Sequence, residues 1–350
     1  MSELIQKNDN RATIRWKLLT GASALALATY VSSVSIAKAE DADHPLIWID
    51  LGGQLAWNEN GQDDFLPPFT LTMPRPPFEV VSPGRVERQA PTSWDEYAKL
   101  SFQPEDSAWV LSAGVRYGRS HRHDYLDQLT AQTYYYRHWA FQNITADSSE
   151  DHAIIDFQAG RDFGLGTGVS STMSLGVRIA QFNSRAHSFF ESRPQNFNYY
   201  VGTYTRFNAT FDAKRSFTGI GPSLSWDGTA AVAGNTSDGR IDIDWGINAA
   251  LLFGRQSVRG QHETTSVPYV SRYPTALNHN SAPISRSKRV TVPNLGGYAA
   301  VSWRTDNAKI SFGYRADMFF GAMDGGIDAA KRENRGFYGP FASISIGIGD

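Results

Sequence analysis

Three short runs carry side chains suited to moving protons or holding a metal ion. His121-Arg122-His123-Asp124 gathers two imidazoles and a carboxylate, Asp151-His152 sets an acid beside a base, and Asp63-Asp64 puts two carboxylates in tandem. Sets of this kind can activate water by general base catalysis. A fourth run, Gly-Leu-Gly-Thr-Gly at 164–168, has the glycine density of a phosphate cradle. Such a cradle joins a strand to a helix; this one joins two stretches that both read as strands, so it is a turn. A further set of charges recurs among small residues: Asp50, Arg116, Asp156, Asp162, Arg178, Asp242, Asp244, Lys309, Arg315 and Asp317. Aimed into a water-filled passage, these side chains would set ion preference. Paired with one another, they would fill and neutralise it. The elements that carry them decide which chemistry applies.

Those elements show strict alternation, the period of a strand with two unlike faces. It runs through 46–57, 108–120, 153–163, 169–182, 241–253, 295–303, 308–320 and 338–348. In 241–253, for example, Ile241, Ile243, Trp245, Ile247, Ala249, Leu251 and Phe253 alternate with Asp242, Asp244, Gly246 and Asn248. Stretch 207–226 is less regular and changes face near 216–219, where a bulge is expected to absorb the slip. The polar face is built of Gly, Ser, Thr, Asp and Arg. A sheet facing bulk water would show Lys, Glu and Thr there. Small residues with scattered charges suit the crowded interior of a narrow barrel whose apolar face meets lipid. All ten charges above then project inside.

Connection lengths alternate as well. Tight turns are expected at 163–169 and 304–308 and a moderate one at 227–239, against long loops at 58–93, 121–152, 184–206, 256–289 and 321–336. Short turns at one end and long loops at the other describe an outer-membrane barrel, with the turns in the periplasm. Nine segments would leave the two termini on opposite sides. Adding 94–102, with Trp94, Ala98, Leu100 and Phe102 on one face, makes ten and brings both termini to the periplasm. Twelve stays open, because 132–144 and 198–207 have room for more strand. Trp109, Trp226 and Trp303 sit beside the short turns, and Trp57, Tyr117, Phe253, Phe320 and Tyr338 at the long-loop ends. Two aromatic girdles of this kind anchor a barrel at both headgroup layers. The long connections are themselves aromatic, with Tyr134, Tyr135, Tyr136, Trp139, Phe141, Phe189, Phe190, Phe197, Tyr199, Tyr200 and Tyr204. These read as strands continuing above the membrane, or as a surface for a ligand or lipopolysaccharide. The Pro-rich loop 58–93 holds Pro67-Pro68 and Pro76-Pro77, an extended segment able to fold into the mouth.

Residues 1–39 have the order of a cleavable secretory leader: Lys7, Arg11, Arg15 and Lys17, an apolar run over 18–36, then Ala37-Lys38-Ala39. Its removal leaves a barrel domain of 40–350 with 28 basic and 33 acidic residues, a net of −5. That balance makes nucleic acid a poor partner. The chain has no cysteine, which excludes disulfides, thiolate metal sites, cysteine nucleophiles and a lipoprotein anchor. No later stretch reaches the ~18 consecutive apolar residues of a membrane-spanning helix.

Several runs resemble the Legionella major outer membrane protein family of pore-forming barrels. They are Trp109-Val-Leu-Ser-Ala-Gly-Val-Arg-Tyr-Gly118, Met173-Ser-Leu-Gly-Val-Arg178, Gly219-Ile-Gly-Pro-Ser-Leu-Ser-Trp-Asp-Gly228, Asp244-Trp-Gly-Ile-Asn-Ala-Ala-Leu-Leu-Phe-Gly254 and Gly336-Phe-Tyr-Gly-Pro-Phe341. The resemblance implies an outer-membrane channel without cofactor, and it carries no catalytic motif. Barrels of this class often end in an aromatic residue, whereas this chain ends Ile348-Gly-Asp350. Ten-stranded outer-membrane proteases also hold Asp-His and Asp-Asp pairs at their outer end, but the residues around the pairs here do not resemble theirs. The sequence thus points to an antiparallel up-and-down transmembrane β-barrel of about ten strands, with no catalytic residues, no metal and no cofactor. The expected activity is passage of small hydrophilic solutes or ions. Outer-membrane lipid and lipopolysaccharide are the surrounding partners, and a closed structural or adhesive barrel is the alternative.

Overall fold

The computed structural model describes residues 47–59, 92–104, 107–132, 138–163, 169–195, 203–235, 238–270, 273–274, 276–326 and 330–348. The leader, the Pro-rich segment 60–91 with Asp63 and Asp64, Tyr134 to Tyr136, the 164–168 turn, Phe197, Tyr199 and Tyr200 lie outside them. The strands are β1 (Ile47–Glu59), β2 (Thr92–Phe102), β3 (Trp109–Gln132), β4 (His138–Asp162), β5 (Val169–Gln195), β6 (Thr203–Asn235), β7 (Gly239–Val270), β8 (Tyr273–Pro274), β9 (Asn278–Arg304), β10 (Ala308–Asp324) and β11 (Arg332–Ile348). Neighbours pair antiparallel in the order β6-β5-β4-β3-β2-β1-β11-β10-β9-β7, and β6 pairs with β7 to close the ring. The two-residue β8 only extends the far end of β7. The result is a ten-stranded barrel without free edges.

Alternation places the two faces. Leu51, Phe157, Leu175, Ile220, Ile247, Phe312 and Ile344 are exposed on the outside, while Arg116, Ser174, Arg178, Asp242, Asp244, Ser302 and Ser345 are buried inside. Strand 94–102 takes the expected place between β1 and β3.

Three expectations about the connections are corrected. Segments 121–152, 184–206 and 256–289 are mostly strand, not loop: β3 pairs with β4 out to Gln132↔His138, β6 with β7 out to Thr203↔Val270, and β7 with β9 out to Ser266↔Asn278. The ladder continues because each long strand still has a neighbour on which to place its hydrogen bonds. For the same reason the described residues of those two segments, 138–144 and 203–207, lengthen β4 and β6 and form no strand of their own. The 227–239 connection shrinks to a tight turn between Asn235 and Gly239, with Gly234 at φ +84° and Gly239 at φ +109°. The bulge expected near 216–219 is absent, for β5 and β6 keep one register from Val169↔Ala230 to Ser192↔Phe207. Phe217 therefore points inward. The register shifts that do occur on β6 and β10 fall between Ala231 and Ala233 and between Phe319 and Met323.

Candidate functional site

The lumen divides into two halves. Towards the short turns lies a cavity of about 320 Å³, which reaches Thr172 and Ser345 near the strand ends. Its lining includes five cations (Lys99, Arg116, Arg178, Lys309, Arg315) and five anions (Asp50, Asp156, Asp227, Asp244, Asp317), so its formal charge balances. Three pairs neutralise one another directly: Arg116–Asp317 at 2.7 Å, Arg178–Asp156 at 2.7 Å and Lys309–Asp244 at 2.8 Å. The first crosses the lumen from β3 to β10. Arg178 also spans it, donating to Asn248 Oδ1 at 2.7 Å and to Asn294. Buried ions need this degree of pairing, since one left alone costs several kcal/mol.

Arg315 is held differently, its guanidinium 4.9 Å from the Tyr97 ring, 5.6 Å from Tyr298 and 4.9 Å from Phe341. The Tyr298 hydroxyl donates to Asp227 at 3.0 Å across Gly246, where a Cβ would lie 2.3 Å from the Tyr298 ring. Of the ten charges singled out from sequence, eight line this cavity. The other two lie at its turn-end rim: Asp242 is fully buried against Arg240 at 2.7 Å, and Asp162 closes the β4 row opposite Thr172.

Towards the long connections a cluster of aromatic rings joins the polar groups on the same inward faces. Phe182, Phe217, Phe319 and Phe337 are each 0% exposed and meet from opposite walls of the ring. Phe182 lies 4.8 Å from Phe319, 5.6 Å from Phe337 and 5.7 Å from Phe217. Leu252, Val292, Ala322 and Met323 complete this septum. Above it the end of β10 turns inward at Gly321, whose φ is +67°. Gln256 Nε2 donates to the Gly321 carbonyl at 2.5 Å, Arg286 to that of Gly326, and Arg286 pairs with Asp324 at 3.2 Å. Burial opposes charge on Asp324, but the backbone N–H groups of Lys331 and Gly326 and the Arg286 guanidinium outweigh it and hold the carboxyl below its ordinary range. Arg335, fully buried, pairs with Glu150 at 3.2 Å.

The imidazole–carboxylate sets separate. Asp151 and His152 are adjacent in a strand, so they point to opposite faces. Asp151 accepts from Asn183 at 2.8 Å, while His152 Nε2 meets Asp95 at 3.0 Å inside the barrel. Asp95 in turn accepts from Ser93 at 2.7 Å, and the His152 ring stacks 3.9 Å from Phe337. His123 joins Asp147 of the neighbouring strand at 2.5 Å on the surface. Among the described residues no group of three or more His, Cys, Asp or Glu is placed to hold a metal. Of the girdle aromatics, Trp109, Trp226, Trp303, Phe253 and Phe320 are exposed on the outer wall; Trp57, Tyr117 and Tyr338 are half-buried, Trp57 6.1 Å from Tyr338.

No protein-family model matches the chain, and no curated protein is similar to it. Several solved structures are similar over most of the chain. The transport unit of the autotransporter AIDA-I from Escherichia coli is 7% identical over 93% of this chain and 98% of that one, with a TM-score of 0.28. The TodX deltaS2S3 mutant, a monoaromatic hydrocarbon channel, is 11% identical over 88% and 91%, with a TM-score of 0.29. A bacterial polysaccharide outer membrane secretin is 10% identical over 88% and 100%, with a TM-score of 0.22. Likeness at this level carries no functional argument; the site has to speak through its own chemistry.

Sequence reading missed the septum. A signal for it exists: Phe182, Leu252, Phe319 and Phe337 fall in phase with Arg178, Asn248, Asp317 and Gly339, on the face otherwise kept small or charged. The missed chamber residues Lys99, Tyr97 and Tyr298 share that phase.

Proposed function

We propose that this chain is an outer-membrane channel that is closed at rest. Small hydrophilic solutes or ions enter the polar chamber from the periplasmic side, and the phenylalanine septum with the end of β10 from Gly321 to Asp324 is the gate. The observation that carries this reading is the charge-balanced cavity of about 320 Å³ inside a closed barrel whose outer wall is apolar. A barrel serving only as an anchor has no use for a wet interior, and side chains would fill it. The apolar belt suits the hydrocarbon layer, and short turns belong to the periplasmic end. The leader-like residues 1–39 and the runs similar to the Legionella major outer membrane protein family add support. With the gate open, solute moves down its gradient.

The second reading, a closed structural or adhesive barrel, is favoured by the septum and by the β-ribbons that extend past the belt. Planar-bilayer recording of refolded protein separates the two. Wild type is expected to give rare, brief steps and Phe182→Ala/Phe319→Ala sustained ones, with Arg178→Glu in that background shifting selectivity towards cations. Silence from a double variant that keeps its folded, heat-sensitive gel mobility would favour the structural barrel.

A further inference from the structure

At the loop end, one side of the outer wall turns abruptly from apolar to basic. On β7 the outward positions run Leu251, Phe253, Arg255, Ser257 and Arg259. Arg255 lies directly opposite Arg289 of β9. Arg259 lies opposite Lys214 of β6, and Lys214 opposite Arg185 of β5. Like charges directly opposed on antiparallel strands repel one another. Elsewhere on the wall the register matches signs instead, as where Arg119 of β3 faces Asp151 of β4.

Arg185, Arg255, Arg259 and Arg289 are all exposed, and among the described residues none forms a salt bridge; Lys214 has a contact of its own. The carboxylate that follows on β6, Asp212, is engaged by His187 at 2.7 Å. Between the two basic rows lie only short polar groups: Ser216 and Ser257 share a hydrogen bond at 2.7 Å, and Arg255 Nε donates to Ser287 at 2.6 Å. Directly below is the belt, with Ile220 and Phe253 each 53% exposed.

An anion that satisfies both rows must carry phosphate-like groups above and apolar chains below. We infer that this face binds a phosphorylated glycolipid of the surrounding leaflet, the lipopolysaccharide of an outer membrane. Its acyl chains lie along Ile220 and Phe253, and its phosphates rest over the arginines. Guanidinium forks take phosphate oxygens in pairs. At ~3.3 Å per residue the two rows stand roughly 13 Å apart along β7, so each row takes its own phosphate. The inference rests on the outer-membrane orientation proposed above, but not on conduction through the lumen.

The test titrates refolded full-length protein in detergent, by calorimetry, with lipopolysaccharide, with the same lipid after enzymatic dephosphorylation, and with inorganic phosphate. Wild type is expected to bind the phosphorylated lipid at least about tenfold more tightly than the dephosphorylated one, with affinity falling as salt rises. Changing Arg185, Arg255, Arg259 and Arg289 together to Gln should erase that preference, and changing all four to Lys should keep most of it. Inorganic phosphate should not displace the lipid. Equal binding by the Gln variant, or displacement of the lipid by free phosphate, would overturn the inference. Gel mobility confirms that each variant is folded. Bilayer recordings of the same preparations keep failure of this site distinct from failure of the channel.

Discussion

The two halves of the lumen are lined by the same strands in the same inward phase, yet one holds a polar cavity and the other a packed aromatic cluster. In the turn-end half the long inward groups are ions that meet across the ring, as Arg116 meets Asp317, and glycine and serine leave space between them. In the loop-end half, phenylalanines from β5, β6, β10 and β11 converge and pack ring against ring. Ions keep their distance unless partnered, whereas aromatic rings gain by burying ~150–250 Å² each against one another. Side-chain chemistry alone, on one backbone geometry, makes chamber or septum.

The largest blow to this contrast would come from stranding a charge in the chamber. Asp317→Leu leaves Arg116 buried without its partner and should cost about 3–5 kcal/mol in denaturant unfolding from lipid vesicles, while Arg116→Met/Asp317→Leu should regain most of it. Equal stability of the single and double variants would mean that the pair is solvated. On the aromatic side, Phe217→Ala should lose about 3 kcal/mol and raise single-channel activity together. A loss of stability without conductance would detach the septum from gating.

The hairpin over the septum offers a pH test. The Asp324 carboxyl is held below its ordinary range, so its contribution is present above that range and lost as pH falls through the depressed value. Acidifying below about pH 4 should therefore release the hairpin and increase openings, and Asp324→Asn should be open-prone already at neutral pH, at a cost of about 2 kcal/mol. Flat conductance from neutral pH down to acid would remove Asp324 from the latch. The smallest effect is expected at Gly321: Ala there meets no atom nearer than 3.5 Å, so only its positive φ of 67° is strained. That strain is worth about 1–2 kcal/mol and should show as a modest rise in opening frequency.

Much of this was legible because strand alternation is a local property. Ile241 to Phe253 announce their two faces without help from any other segment, and the tight turns and the parity of the termini give ten strands. The local rule also led astray. Phe217 looked like a register slip because an inward phenylalanine breaks the pattern of a polar lumen, and Asp151-His152 looked like a pair although neighbours in a strand face apart. The ribbons beyond the belt read as loops, since their strands are held by partners rather than by an alternating apolar face of their own.

The sequence by itself determined the strands, which face of each is greasy, and which charges point inward. Only the closed ring decided what those groups meet. Arg116 finds Asp317 at a separation of 201 residues, and Phe182 finds Phe319 and Phe337 on the opposite wall. Alternation works over two residues along one strand, but partnership across a lumen depends on the register of every strand between, and no single segment encodes it.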